Sequence, residues 1–234
     1  MTFVRIDRSG QLSTYNPTGD TSEPLTGEVV VGHGSALPLF DAVVATVRSM
    51  IRSVGLVVRG RLRMPRRNVG LVIHFADGTS APVYRETVIV RDPPRTPCYL
   101  AVRFRLRAIR GVRWAHAIFR AESVLNTLLF AGFPGLVSKL WLRDDEDHVY
   151  RGLYEWDGTE LALRYANALW WVLALVSEPS SIEYALVPGV ERDEFLSDPT
   201  APESGTDARS QWWRPSFCGR FFEAEISTSR EGAR

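Results

Sequence analysis

The stretch YLAVRFRLRAI, residues 99–109, alternates apolar and basic side chains with period two. That period marks a β-strand with one face turned to a core. Leu100, Val102, Phe104 and Leu106 fall on one face, and Arg103, Arg105 and Arg107 on the other. Working outward, residues 114–130 read as a helix, and residues 136–143 and 148–156 as a hairpin around the acidic turn Asp144–Asp147. Residues 158–176 read as a second helix, with Asp157 as its N-cap. Residues 181–187 form a last strand, ended by Pro188-Gly189. The order β-α-β-β-α-β predicts an α+β fold class with a ferredoxin-like core over residues 96–196.

Upstream, residues 38–57 (PLFDAVVATVRSMIRSVGLV) read as an amphipathic helix. Residues 69–76 and 80–90 flank Asp77-Gly78, a hairpin-turn dipeptide. With residues 28–32 they make an N-terminal extension, 28–95, readable as a degenerate β-α-β-β unit that closes a barrel within one chain. Residues 1–27 read as a loose arm rich in small and polar residues. Residues 197–211 read as a linker, within a segment that runs to residue 234. An aromatic tail (Trp212, Trp213, Phe217, Phe221, Phe222) follows the linker and is expected to dock on the body.

Composition narrows the function classes. The 234 residues are 45% hydrophobic and 24% charged, as in a globular chain. A net charge of +1 gives no basic field for nucleic acid. Cys98 and Cys218 sit in no CxxC, which fits a reducing, cytoplasmic setting. His33, His74, His116 and His148 are scattered, so no metal site is expected. No secretory leader pattern opens the sequence, and no run reaches the ~20 apolar residues of a membrane span.

Strand faces point to a pocket. In 136–143, Leu136, Leu140 and Leu142 oppose Lys139 and Trp141. The hairpin loop suggests a register with Trp141 facing Tyr150 and Lys139 facing Gly152, so that Tyr154 shares their face. One sheet face is then aliphatic and helix-covered. The other combines Arg103, Arg105, Lys139, Trp141, Tyr150 and Tyr154. A second sheet packed there would enclose a cavity suited to an anionic or phenolic molecule. The competing reading is a homodimer interface held by the same groups.

Residues 133–141 (FPGLVSKLW) and 150–156 (YRGLYEW), with Ala162 and Tyr165 in the following helix, resemble the YdhR-like monooxygenases. Those are dimeric α+β barrels related to the antibiotic-biosynthesis monooxygenases. Leu136 departs from the family's tendency to carry Phe there. The resemblance covers about residues 99–190. It implies a homodimeric barrel with a buried cavity and no cofactor, carrying out oxygenation or cyclisation of an aromatic or polyketide-like substrate.

On that reading Arg103, Arg105 and Lys139 hold the substrate anion, Trp141 and Tyr150 shape the pocket, and His116 or Tyr154 moves a proton. His116, beside Trp114 and Phe119, reads more readily as a structural histidine, and Lys139 as an ion-pair or ligand-charge partner. Tyr84-Arg85-Glu86-Thr87 and Arg120-Ala121-Glu122-Ser123 put charge in apolar elements, so Arg85–Glu122 or Glu86–Arg120 pairs are conceivable. Gly32-His33-Gly34-Ser35 lacks the third glycine of a dinucleotide loop, since Leu37 stands there. Arg59, Arg61, Arg63, Arg66 and Arg67 follow the 38–57 helix. They read as a solvated basic edge, or as peripheral contact with anionic lipid in a non-catalytic binding or scaffold protein.

Overall fold

The computed structural model describes residues 3–6, 12–15, 29–33, 37–106, 127–143, 149–197 and 211–220. Strands are β1 Phe3–Ile6, β2 Leu12–Tyr15, β3 Val30–His33, β4 Leu62–Arg63, β5 Leu71–Phe75 and β6 Ser80–Ile89. They continue with β7 Pro97–Arg105, β8 Leu136–Leu142, β9 Val149–Asp157, β10 Glu183–Pro188 and β11 Pro215–Arg220. Helices are α1 Leu39–Val58, α2 Thr159–Val176 and α3 Arg192–Ser197.

These strands join one curled sheet in the order β11-β5-β6-β8-β9-β7-β10-β3-β1-β2, with β4 also on β6. Every pairing is antiparallel. This corrects the ferredoxin-like, dimeric-barrel expectation. β8, β9, β7 and β10 are neighbours, but they are the middle of a half-barrel dominated by strands. The described strands of the N-terminal segment join this same sheet. β3 extends the sheet beyond β10, while β5 and β6 extend it beyond β8. Within residues 1–27, read as an arm, β1 and β2 continue the same sheet from β3.

The Asp77-Gly78 hairpin forms, with Val72 opposite Pro82 and His74 opposite Ser80. Gly78 takes φ 84°, a value that favours glycine, and Asp77 Oδ1 accepts from the Thr79 amide at 3.1 Å. Asp157 does not cap α2. Gly158 holds that position without a side-chain cap. The Asp157 carboxylate instead accepts from the Arg95 and Thr96 amides and pairs with Arg91 at 2.5 Å. Of the helix expected over 114–130, only 127–130 lie among the described residues, and they are helical.

Each sheet face buries its own core. Leu100, Val102, Leu136, Tyr154, Trp156 and Leu186 pack with Tyr165, Leu169 and Leu173 of α2. On the reverse face Tyr99, Leu140, Leu142, Leu153 and Val187 pack with Phe195 of α3 and with Trp212 and Trp213. The C-terminal tail thus covers the face of Leu140 and Leu142, expected to be helix-covered, while the face of Tyr154, where a second sheet was expected, packs against α2. Tyr99 Oη donates to the Trp213 carbonyl at 2.9 Å. β11 pairs with β5, so the strand at 181–187 is not the last.

Candidate functional site

The residues of the Lys-x-Trp and Gly-x-Tyr patterns meet on the α2 side of the sheet. Lys139 lies opposite Tyr154 and Trp141 opposite Gly152, two residues from the expected register, with Tyr150 opposite Phe104 on the next strand. The parity is unchanged, so Lys139, Trp141, Tyr150 and Tyr154 share one face.

That face also carries Leu100, Val102 and Phe104, because Leu100 pairs with Tyr154 and Val102 with Gly152. Arg103 pairs with Arg151 and points the other way. The expected anion clamp of Arg103, Arg105 and Lys139 is therefore divided between the two sides of the sheet. Leu136 is also parted from Leu140 and Leu142, because an irregularity between Leu136 and Ser138 shifts the register.

Lys139 is 6% exposed. Its Nζ lies 3.2 Å from the centre of the Trp141 ring, 4.6 Å from that of Tyr154 and 5.8 Å from that of Phe130. No carboxylate pairs with it among the described residues. Burial, and secondarily the Arg85 guanidinium, hold its pKa well below the ordinary lysine range. Ring faces favour an ammonium, but the desolvation cost is larger, so the group tends towards the neutral amine.

The surroundings fix this box. Trp141 Nε1 donates to Thr87 Oγ1 at 3.0 Å, and the Arg85 guanidinium sits 5.6 Å from the Trp141 centroid. Tyr165 Oη donates to Tyr154 Oη at 3.1 Å. Burial raises the pKa of Tyr154 and Tyr165 far above the usual phenol range, so both are phenols. Burial also pushes Tyr84 up to about 12, with Arg85 opposing the shift. Tyr84, Arg85, Trp141 and Tyr150 are half-buried, which leaves the cluster an aromatic and cationic edge. Gly152 makes room for this packing. A Cβ there would lie 2.7 Å from the Tyr154 ring.

Arg103 is committed elsewhere. Its Nε donates to Glu183 at 2.6 Å, Asp77 lies 3.7 Å from Nη1, and its guanidinium stacks 4.6 Å from the Trp212 centroid. Arg151, directly opposite, donates to Thr79 Oγ1 at 2.6 Å and stacks on Phe75. Arg103, Arg105, Arg151, Asp77, Thr79 and Glu183 line a cavity of ≈ 470 Å³ that does not include Lys139. His116, the other candidate proton carrier, lies outside the described residues, as do Arg120 and Glu122.

Glu86 pairs with Arg192 at 3.4 Å, both 1% exposed, and accepts from Asn68 Nδ2 at 3.0 Å, while Arg192 also pairs with Asp193 at 2.6 Å. Gly32 lies in β3 opposite Tyr184, whose ring stands 2.5 Å from a Cβ built there, so this glycine serves packing. Burial pushes the Cys98 and Cys218 thiols up to about 11, which leaves neither poised as a nucleophile. Tyr84 and Arg85 stood out in the sequence only as polar residues in an apolar strand. Their place beside Lys139 follows from pairing of β6 with β8. Among the described residues no group of His, Cys, Asp and Glu could hold a metal. No family model matches the chain, and no curated protein matches it.

Proposed function

We propose that the protein is a small-molecule enzyme acting on a planar aromatic or polyketide-like substrate with an acidic phenol or enol, and that Lys139 is its base. The observation that carries this reading is a desolvated amine against two ring faces, without a carboxylate partner among the described residues. A neutral lysine with a lowered pKa can accept a proton near neutral pH. The substrate O–H passes its proton to Nζ. Trp141 and Tyr154 then face the new ammonium, and Arg85 stands beside the anion. A phenolate or enolate so formed is the electron-rich species from which cofactor-independent oxygenation by O₂, or ring closure, proceeds.

The resemblance to YdhR-like monooxygenases supports this chemistry at the level of residues. Of the residues that carry it, Trp141 and Tyr154 face the Lys139 amine, Gly152 lies opposite Trp141, and Tyr165 donates to Tyr154. Cys98 and Cys218 are unpaired, which supports a cytoplasmic setting. Among the described residues no helix is long and apolar enough to cross a membrane.

The test is a binding screen of phenols, enols and aromatic acids by tryptophan fluorescence, followed by oxygen-uptake and product assays with any ligand found. The reading expects binding that weakens more than about tenfold in Lys139→Met. Ligands that bind Lys139→Met as tightly as wild type would overturn it.

A further inference from the structure

Helix α1 is inverted for a helix lying on a globular protein. Its buried positions are the small residues Ala42, Ser49 and Ser53. It approaches the 131–135 turn so closely that a Cβ on Gly132 would lie 2.0 Å from the Ser49 carbonyl. Its large apolar side chains face solvent instead. Phe40 is 78% exposed, Ile51 68% and Val58 80%, with Val43, Val47 and Val54 between them. Their spacing of three and four residues makes one continuous stripe, about 27 Å long at 1.5 Å per residue. Monomeric proteins rarely expose an apolar patch beyond a few hundred Å².

Charge indicates what covers the stripe. Arg48, Arg52 and Arg59 follow at i, i+4 and i+11 along a neighbouring line of the helix, and Asp41 is its only acid. Where α1 ends, a groove of ≈ 520 Å³ is lined by Arg52, Arg59, Arg61 and Arg91 around Ile51 and Ile89. Among the described residues Arg52, Arg59 and Arg61 have no acidic partner. Arg63 and Arg66, both exposed, follow them. An anionic bilayer presents an apolar boundary and negative headgroups together. With arginines in mid-helix, α1 is suited to lie in the interface and not to span it.

We propose that α1 docks on an anionic phospholipid surface, with Phe40 to Val58 in the acyl boundary and a headgroup phosphate in the arginine groove. Flotation of the full chain with phosphatidylcholine vesicles, with and without phosphatidylglycerol, tests this. The expected result is co-flotation with the anionic vesicles only, weakened by salt. It should be lost in Ile51→Asp/Val54→Asp and weakened more than about tenfold in Arg52→Glu/Arg59→Glu/Arg61→Glu, each with an unchanged circular dichroism spectrum. No flotation with phosphatidylglycerol, or flotation retained by both variants, would overturn the proposal. Dimerisation lost in Ile51→Asp/Val54→Asp, without vesicle binding by the wild type, would overturn it in favour of a second copy.

Discussion

The Lys139 amine stands 3.2 Å from the centre of the Trp141 ring, two residues along the same strand. The Lys-x-Trp spacing produces this contact, because side chains two apart on a strand share a face. Tyr154, on the neighbouring strand, supplies the second ring. An amine enclosed in this way contributes little to folding, since burial opposes its charge.

Replacement of Lys139 by methionine, similar in length and apolar, should therefore leave stability unchanged or raise it. Urea unfolding at neutral pH checks this, with a midpoint no lower than that of the wild type expected. Ligand binding should fall in the same variant, which separates a role in chemistry from a role in packing.

Stability should depend on pH in a sense set by the same group. Folding lowers the Lys139 pKa from its ordinary 10.5, so between the folded value and 10.5 the unfolded chain binds the extra proton. Stability then rises with pH across that window, and this part of the rise is absent in Lys139→Met. Above about pH 10 the buried tyrosines reverse the trend. Tyr84 and Tyr184, both pushed up to about 12 by burial, keep protons that the unfolded chain loses, so stability falls. Urea midpoints of both proteins, measured from neutral pH to pH 11 or so, should show the two slopes.

On the reverse face, Glu86 and Arg192 are each 1% exposed and 3.4 Å apart. Arg192 keeps Asp193 at 2.6 Å when Glu86 is truncated, so Glu86→Ala, which also leaves Asn68 without its carboxylate, should cost about 1–3 kcal/mol. The double variant Glu86→Met/Arg192→Met removes both charges but leaves Asp193 to Arg67, so it should recover part of that loss. A double-mutant cycle by urea unfolding measures the coupling.

Gly152 and Tyr154 form a second coupled pair. A methyl on Gly152 would come 2.7 Å from the Tyr154 ring, and Gly152→Ala should destabilise by about 1–3 kcal/mol through overpacking. It should also move Tyr154 off Lys139 and so weaken ligand binding. In the Tyr154→Leu background the cost of Gly152→Ala should shrink, which the same unfolding assay reads.

Local pattern made the hairpins and α2 legible. Alternation marked β7, and Asp77-Gly78 marked the β5–β6 turn. The extent of the sheet was not legible, because β3 and β11 pair with strands more than 130 residues away in the chain. The site was half legible. Parity along β8 and β9 grouped Lys139, Trp141, Tyr150 and Tyr154 correctly, since a two-residue error in register preserves the face. The phase between β9 and β7 is set by pairing across the sheet, so Arg103 and Arg105 were placed beside Lys139 when they lie behind it. The shift near Leu136 left no mark in the apolar pattern. The Glu86–Arg192 pair joins residues 106 apart, beyond any periodicity.

Lys139 is the only lysine in the chain, which opens a direct measurement of the central claim. Protein labelled with ¹³C at lysine Cε gives one lysine resonance, and its shift against pH reports the Nζ titration without assignment. The account predicts a midpoint well below 10.5, rising or falling further when an anionic or neutral aromatic ligand binds. A midpoint at or above 10.5, unmoved by burial, would contradict it.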